Sequence, residues 1–122
     1  MGKRKTNRHY IDNKEFEATI HNYLTNPKEY EEQLIKQLDL LISSILISFK
    51  FKVEYDDAKQ DCFVLALKVL ENFSPEKGSA FNYFTTVIVN NLKLIYTKNK
   101  KYNEKIQEYR DRKIKAWLDE EL

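Results

Sequence analysis

Glycine and proline are scarce, with two of each in 122 residues. A sandwich or barrel needs a turn every ~8–12 residues, so both are excluded and a few long helices are favoured. Cys62 is the only cysteine, which rules out an internal disulfide and a thiolate metal site. The most apolar run, residues 40–49, is far short of the roughly 20 residues a bilayer requires. Lys3, Arg4, Lys5 and Arg8 open the chain without an apolar stretch behind them, so no signal peptide is read there. One absence is local. From Lys77 to Asn103 there is no Asp or Glu, although 33% of the chain is charged.

What is present suits one all-α domain, a compact bundle of four to five helices. Hydrophobic content of 42% supports a modest core where it is periodic. The net charge of +2 predicts little, but its distribution predicts more. Residues 98–115 hold eight Lys/Arg against three acids, and the chain ends Asp119-Glu120-Glu121-Leu122. An anionic partner is expected at the basic patch and a different one at the acidic tip.

In order, residues 1–12 read as a basic flexible arm: a solvated tail or a phosphate contact. His9 and His21 have no ligating neighbours. A short helix is expected over 13–24, with Phe16, Ile20, Tyr23 and Leu24 at helical spacing. Asn26-Pro27, with Glu29 following, marks a helix start. That helix runs to about Phe51. Its core stripe is Leu34, Leu38, Leu41, Ile42, Ile45 and Phe49, widened by Leu40, Leu46 and Ile47, so burial around much of its circumference is expected.

The next helix is expected from a cap at Asp56 or Asp57 to about Phe73. Ala58, Cys62, Leu65, Ala66, Val69 and Phe73 form one face. Phe63, Val64 and Leu67 share the other with Asp57, Gln60 and Glu71. Two readings of that second face stand: a central helix buried on both sides, or a docking surface with apolar area and orienting acids. Ser74-Pro75-Glu76-Lys77-Gly78 is a turn, with Gly78 suited to positive φ and Ser79 to a cap.

A helix over 80–97 follows, with Phe81, Phe84, Thr85, Ile88, Leu92 and Ile95 as its core stripe. Its far side carries Asn82, Thr86, Asn90, Lys93 and Thr97, with Tyr83 beside them. A face without acids suits a polyanion: amides, hydroxyls and aromatic rings meet bases while Lys neutralises phosphate. Lys98, Lys100 and Lys101 either complement the helix end or contact phosphate. Residues 103–122 read as a separate C-terminal helix and a hydrophobic-acidic tail. Trp117 and Leu118 either fold back on the domain or insert into another protein.

No glycine-rich phosphate loop, nucleophile–His pair or HExxH-type pair is present. Asp56, Asp57 and Asp61 flank a helix start, where acids are expected for capping alone. No catalysis, cofactor or metal is expected.

The run from Asp56 to Asn91, DDAKQDCFVLALKVLENFSPEKGSAFNYFTTVIVNN, resembles conserved region two of bacterial RNA polymerase sigma factors. With FSPEKGSAFNYFT followed by KNKK, it is most similar to the late-transcription sigma factors of large tailed phages, and YIDNKEF at residues 10–16 is similar to their early motif. The resemblance covers roughly residues 10–102 and implies a sigma region-two-like domain over 13–102. It implies that Asp57, Gln60, Asp61, Phe63 and Leu67 bind the clamp coiled coil of the largest subunit of host core RNA polymerase. It implies that Lys77, Phe81, Asn82, Tyr83, Phe84, Thr86, Asn90, Asn91 and Lys93 read and melt an AT-rich minus-ten element on the non-template strand. Phe84 takes the place of the aromatic that stacks on a flipped adenine.

Two departures stand out. Primary sigma factors have a Trp-Trp pair where this chain has Val87-Ile88, so strand opening is expected to be weak or assisted. No second promoter-reading domain follows, so no minus-thirty-five contact is expected. In the phage late family a DNA sliding clamp replaces that contact, and Trp117, Leu118 and Leu122 look like its binding peptide. The expectation is a non-enzymatic sigma factor in the cytoplasm of an infected bacterium, with no membrane partner. The rivals are a polymerase-binding adaptor or anti-sigma-like protein that does not open DNA, and a nonspecific nucleic-acid-binding helical module.

Overall fold

A computed structural model describes residues 11–121, which are four α-helices and two 3-10 turns without a strand. The all-α expectation holds. Residues 1–10 of the expected basic arm, and Leu122, lie outside the described residues.

Regular structure begins at Asn13, as expected, and Asp12, read as part of the arm, serves as its cap. Its carboxylate accepts the backbone N–H groups of Lys14 (2.9 Å) and Glu15 (3.3 Å) and caps α1, Asn13–Thr25. Phe16 and Ile20 are buried as their spacing predicts, whereas Leu24 is exposed. α2, Pro27–Ser48, starts at Asn26-Pro27 as expected. The Asn26 side chain does not cap the backbone; it donates to Glu29 Oε1 at 2.9 Å. Leu34, Leu38, Leu41, Ile42 and Leu46 are buried, but Ile47 is 65% exposed, so α2 is less enclosed than its composition suggests.

α3, Tyr55–Val69, begins before the expected cap. Glu54 takes that role, accepting the Asp57 N–H at 2.7 Å. The helix ends at Val69 and tightens into a 3-10 turn, Leu70–Asn72, which buries Leu70. A second 3-10 turn, Pro75–Lys77, leads to Gly78 at φ 102°. A Cβ there would meet nothing within 4 Å, so backbone conformation alone calls for glycine.

α4 is one continuous helix, Ala80–Glu121, of 42 residues. The expected helix end at 97–101 and the separate helix from 103 are corrected by this. Neither Gly nor Pro occurs between Ala80 and Glu121, and the Lys, Glu, Gln and Arg of 104–115 are good helix formers. Gln107 donates to Asp111 Oδ1 at 2.9 Å, an i,i+4 pair.

The core gathers one stripe from each helix, including Phe16, Leu38, Ile42, Cys62, Ala66, Phe84, Ile88 and Leu92. Each large side chain buried there contributes roughly 1.5–3 kcal/mol. α1 packs on α2, and α3 and α4 pack on each other and on α2. Only the first part of α4, to about Ile95, joins this core; from Thr97 to Glu121 every residue but Ile106 is exposed.

Candidate functional site

The start of α4 is fixed from another helix. Glu17 Oε2 accepts the Ala80 N–H (2.9 Å) and Asn13 Oδ1 accepts the Phe81 N–H (2.8 Å). Asn13 Nδ2 in turn donates to Glu17 Oε2 at 3.0 Å. Ser79, the expected cap, accepts the Asn82 N–H at 3.1 Å. Three of the four donors that a helix start leaves open are therefore occupied. An anion does not compete well for this end, and α4 offers its flank instead.

On that flank Asn82, Thr86, Asn90, Lys93 and Thr97 are all exposed, as their spacing predicts. Lys98, Lys100 and Lys101 extend it. Because the helix does not end there, these lysines do not complement a C-terminus, and that account of them lapses. At the other end Lys77 Nζ lies 5.8 Å from the Tyr83 ring centroid and donates to Asn72 O at 2.6 Å. The result is an aromatic–cation pair at the mouth of the turn.

Two residues assigned to DNA lie elsewhere. Phe84 is fully buried, packed on Phe16 (5.6 Å between centroids) and Phe73 (6.0 Å). A base cannot stack on it in this arrangement. Tyr83, edge-on to Phe84 at 5.1 Å, is only half-buried and keeps part of its ring accessible beside Lys77. Asn91 turns toward α3, where its Nδ2 donates to Asp61 Oδ2 at 2.8 Å. Phe81 is half-buried against the core. Of the pair Val87-Ile88, Ile88 is fully buried and Val87 half-buried.

The second face of α3 is open, which removes the reading of a helix buried on both sides. Asp57, Gln60, Val64 (50%) and Leu67 (42%) are exposed along one row. Phe63 sits at its flank, partly buried against the core. Val64, at the centre of the row, is missing from the carried-over set; the helical wheel had already placed it on this face.

α3 and α4 enclose a groove of about 350 Å³. Asp57 and Asp61 line one wall; Asn91, Leu94, Lys98 and Asn99 line the other. The face expected to meet a protein and the face expected to meet DNA thus share an edge. Among the described residues no group of three His, Cys, Asp or Glu could hold a metal ion. No helix among them is long and apolar enough to cross a membrane.

Trp117 (59% exposed) and Leu118 ride on the far end of α4, so Trp117 does not fold back on the domain. Leu122, grouped with them by composition, lies outside the described residues.

Compared with protein-family models, curated proteins and solved structures, the chain finds no significant match.

Proposed function

We propose that this chain is a small sigma-type promoter factor of the phage late-transcription kind. It docks on host core RNA polymerase through α3 and engages an AT-rich minus-ten-like element with the outer flank of α4. The observation that carries this reading is the acid-free flank of α4. It has Tyr83 over Lys77 at one end and Lys98, Lys100 and Lys101 at the other, and it is mounted edge to edge with the open Asp57–Gln60–Val64–Leu67 row. A protein-facing row beside a strand-facing row is what promoter-directed recruitment requires. Phosphate contacts supply affinity, while Asn, Thr and Tyr contacts position and select.

Burial of Phe84 and Ile88 favours a second reading. With neither side chain free to wedge or stack, the chain could dock polymerase and hold DNA without opening it. Mapping transcript starts distinguishes the two. With purified core polymerase, a sigma factor gives a defined start on an AT-rich duplex. An adaptor gives none on duplex or on premelted template. A defined start on premelted DNA alone supports promoter reading with assisted opening.

A further inference from the structure

The stripe that builds the core of α4 does not stop where the core stops. Phe84, Ile88, Leu92 and Ile95 lie on one side of the helix, the first three fully buried and Ile95 packed against them. At ~100° per residue the same line continues through Tyr102, Ile106, Tyr109 and Trp117. Among the described residues only Ile106 is partly covered there: Tyr102 is 65% exposed, and Tyr109, Ile114, Trp117 and Leu118 are exposed beside it. Residues 103–121 form an arm about 28 Å long. An aromatic row of this length left in water marks an interaction surface.

Charge on the arm names the occupant. Its base carries Lys98, Lys100, Lys101 and Lys105, with Glu104 the one acid among them. Its tip carries Asp119, Glu120 and Glu121. Two copies laid side by side in the same direction would oppose base to base and tip to tip. Laid in opposite directions, each acidic tip meets a basic base. In an antiparallel pair centred between Tyr109 and Arg110, Tyr102 meets Trp117, Tyr109 meets Arg110, and Lys98 meets Glu121. The first is an aromatic pair, the second a cation–π pair and the third an ion pair. Each tip would also arrive at a notch of about 610 Å³ at the base of the partner arm, whose lining includes Lys52 and Lys100, the acids Glu54 and Glu104, and the apolar Val53 and Tyr96. The notch has an aromatic wall, with the Phe51 ring 4.8 Å from that of Tyr96.

We propose that this chain self-associates through antiparallel pairing of residues 98–121 of α4, the Trp117 end of each copy seating at the base of the other. The proposal shares Lys98, Lys100 and Lys101 with the acid-free flank but does not rest on the promoter-factor reading, since its test reads self-association with neither DNA nor polymerase present.

The full-length chain tests it by sedimentation over a range of concentrations at low and high salt. Wild type is expected as a monomer–dimer equilibrium that weakens as salt rises. Reversing the tip alone (Asp119→Lys, Glu120→Lys, Glu121→Lys) sets like charges together and raises the dissociation constant roughly tenfold or more. Reversing the base alone (Lys98→Glu, Lys100→Glu, Lys101→Glu) does the same. Combining both reversals in one chain restores the dimer, an outcome a parallel pair would not show. Far-ultraviolet circular dichroism on each variant separates lost pairing from a melted arm. Trp117→Ala, which leaves every charge in place, must also weaken the dimer. A monomer at every concentration overturns the proposal and assigns the stripe to a different protein, a sliding clamp among them. A dimer indifferent to the single reversals overturns it too.

Discussion

Asn91 on α4 donates its side-chain N–H to Asp61 Oδ2 on α3 at 2.8 Å, across the mouth of the groove between the two helices. The resemblance to sigma region two gave these residues to different partners, Asp61 to polymerase and Asn91 to DNA. Here they are each other's partner, and their role is to hold the two faces in register. The same Asn91 amide lies 3.7 Å from Cys62 Sγ, so the contact reaches the core.

A double-mutant cycle should therefore find Asp61 and Asn91 coupled. Each of Asp61→Ala and Asn91→Ala is expected to cost about 0.5–1.5 kcal/mol in urea unfolding, and the double variant less than their sum. Strict additivity would mean that the bond contributes nothing in solution.

Phe84 and Tyr83 are neighbours with opposite expectations. Phe84→Ala empties a fully enclosed site between Phe16 and Phe73 and should cost about 3–5 kcal/mol of stability. Tyr83→Ala should leave a folded chain that loses about 1–3 kcal/mol of affinity for an AT-rich single strand. A Phe84→Ala chain that folds normally and loses only strand binding would return the stacking role to Phe84.

Where periodicity and burial agree, the sequence was easy to read. Phe16, Leu38, Ile42, Ala66, Ile88 and Leu92 needed only helical spacing to be placed in the core. The outer flank of α4 was legible for a different reason: a missing residue type survives any error in helix phase. The same wheel placed Phe84 in the core stripe, and the family slot pulled it outward against that evidence. Boundaries were harder. The Lys-rich stretch at 98–101 looks like a helix end because cations favour C-termini, yet nothing in it breaks a helix. The Glu17 and Asn13 caps on α4 could not be foreseen, since they join residues more than sixty positions apart.

Alkaline pH should loosen the bundle through two named groups. Lys59 donates to Asp39 Oδ1 at 2.8 Å, tying α3 to α2. That hydrogen bond, opposed by some desolvation, holds its ammonium above the ordinary lysine value. Burial pushes the Cys62 thiol up, with the Asn91 contact opposing it in part. Both shifts are upward, so both contributions are complete below the unfolded-state values, near 8.5 for Cys and 10.4 for Lys. Each is lost as pH rises through the higher folded value. Lys59→Met should remove under about 1 kcal/mol at pH 7, a small amount because the pair is partly solvated. Its difference from wild type should shrink as pH rises through the raised lysine value. A difference that stays constant with pH would assign the loss to packing of the Lys59 stem.

The outer row of α4 changes character at a definite place. Asn90, Lys93, Thr97 and Lys101 continue, at helical spacing, into Glu104, Glu108 and Asp111. Because α4 does not break, nothing but charge divides the two halves of that row. A polyanion tracking the flank is neutralised as far as Lys101 and repelled beyond it. Replacing Lys93, Lys98, Lys100 or Lys101 by Ala should therefore lower the slope of log affinity against log salt by about 0.7 each for a single strand. Lys105→Ala and Lys115→Ala, on the same helix and of the same charge, should leave the slope within error. Reversing the boundary with Glu104→Lys and Glu108→Lys should lengthen the footprint and steepen the slope. Fluorescence anisotropy of an AT-rich oligonucleotide across a salt series measures all of these. If all six lysines contribute equally, binding follows net charge, and the acid-free flank has no special part in it.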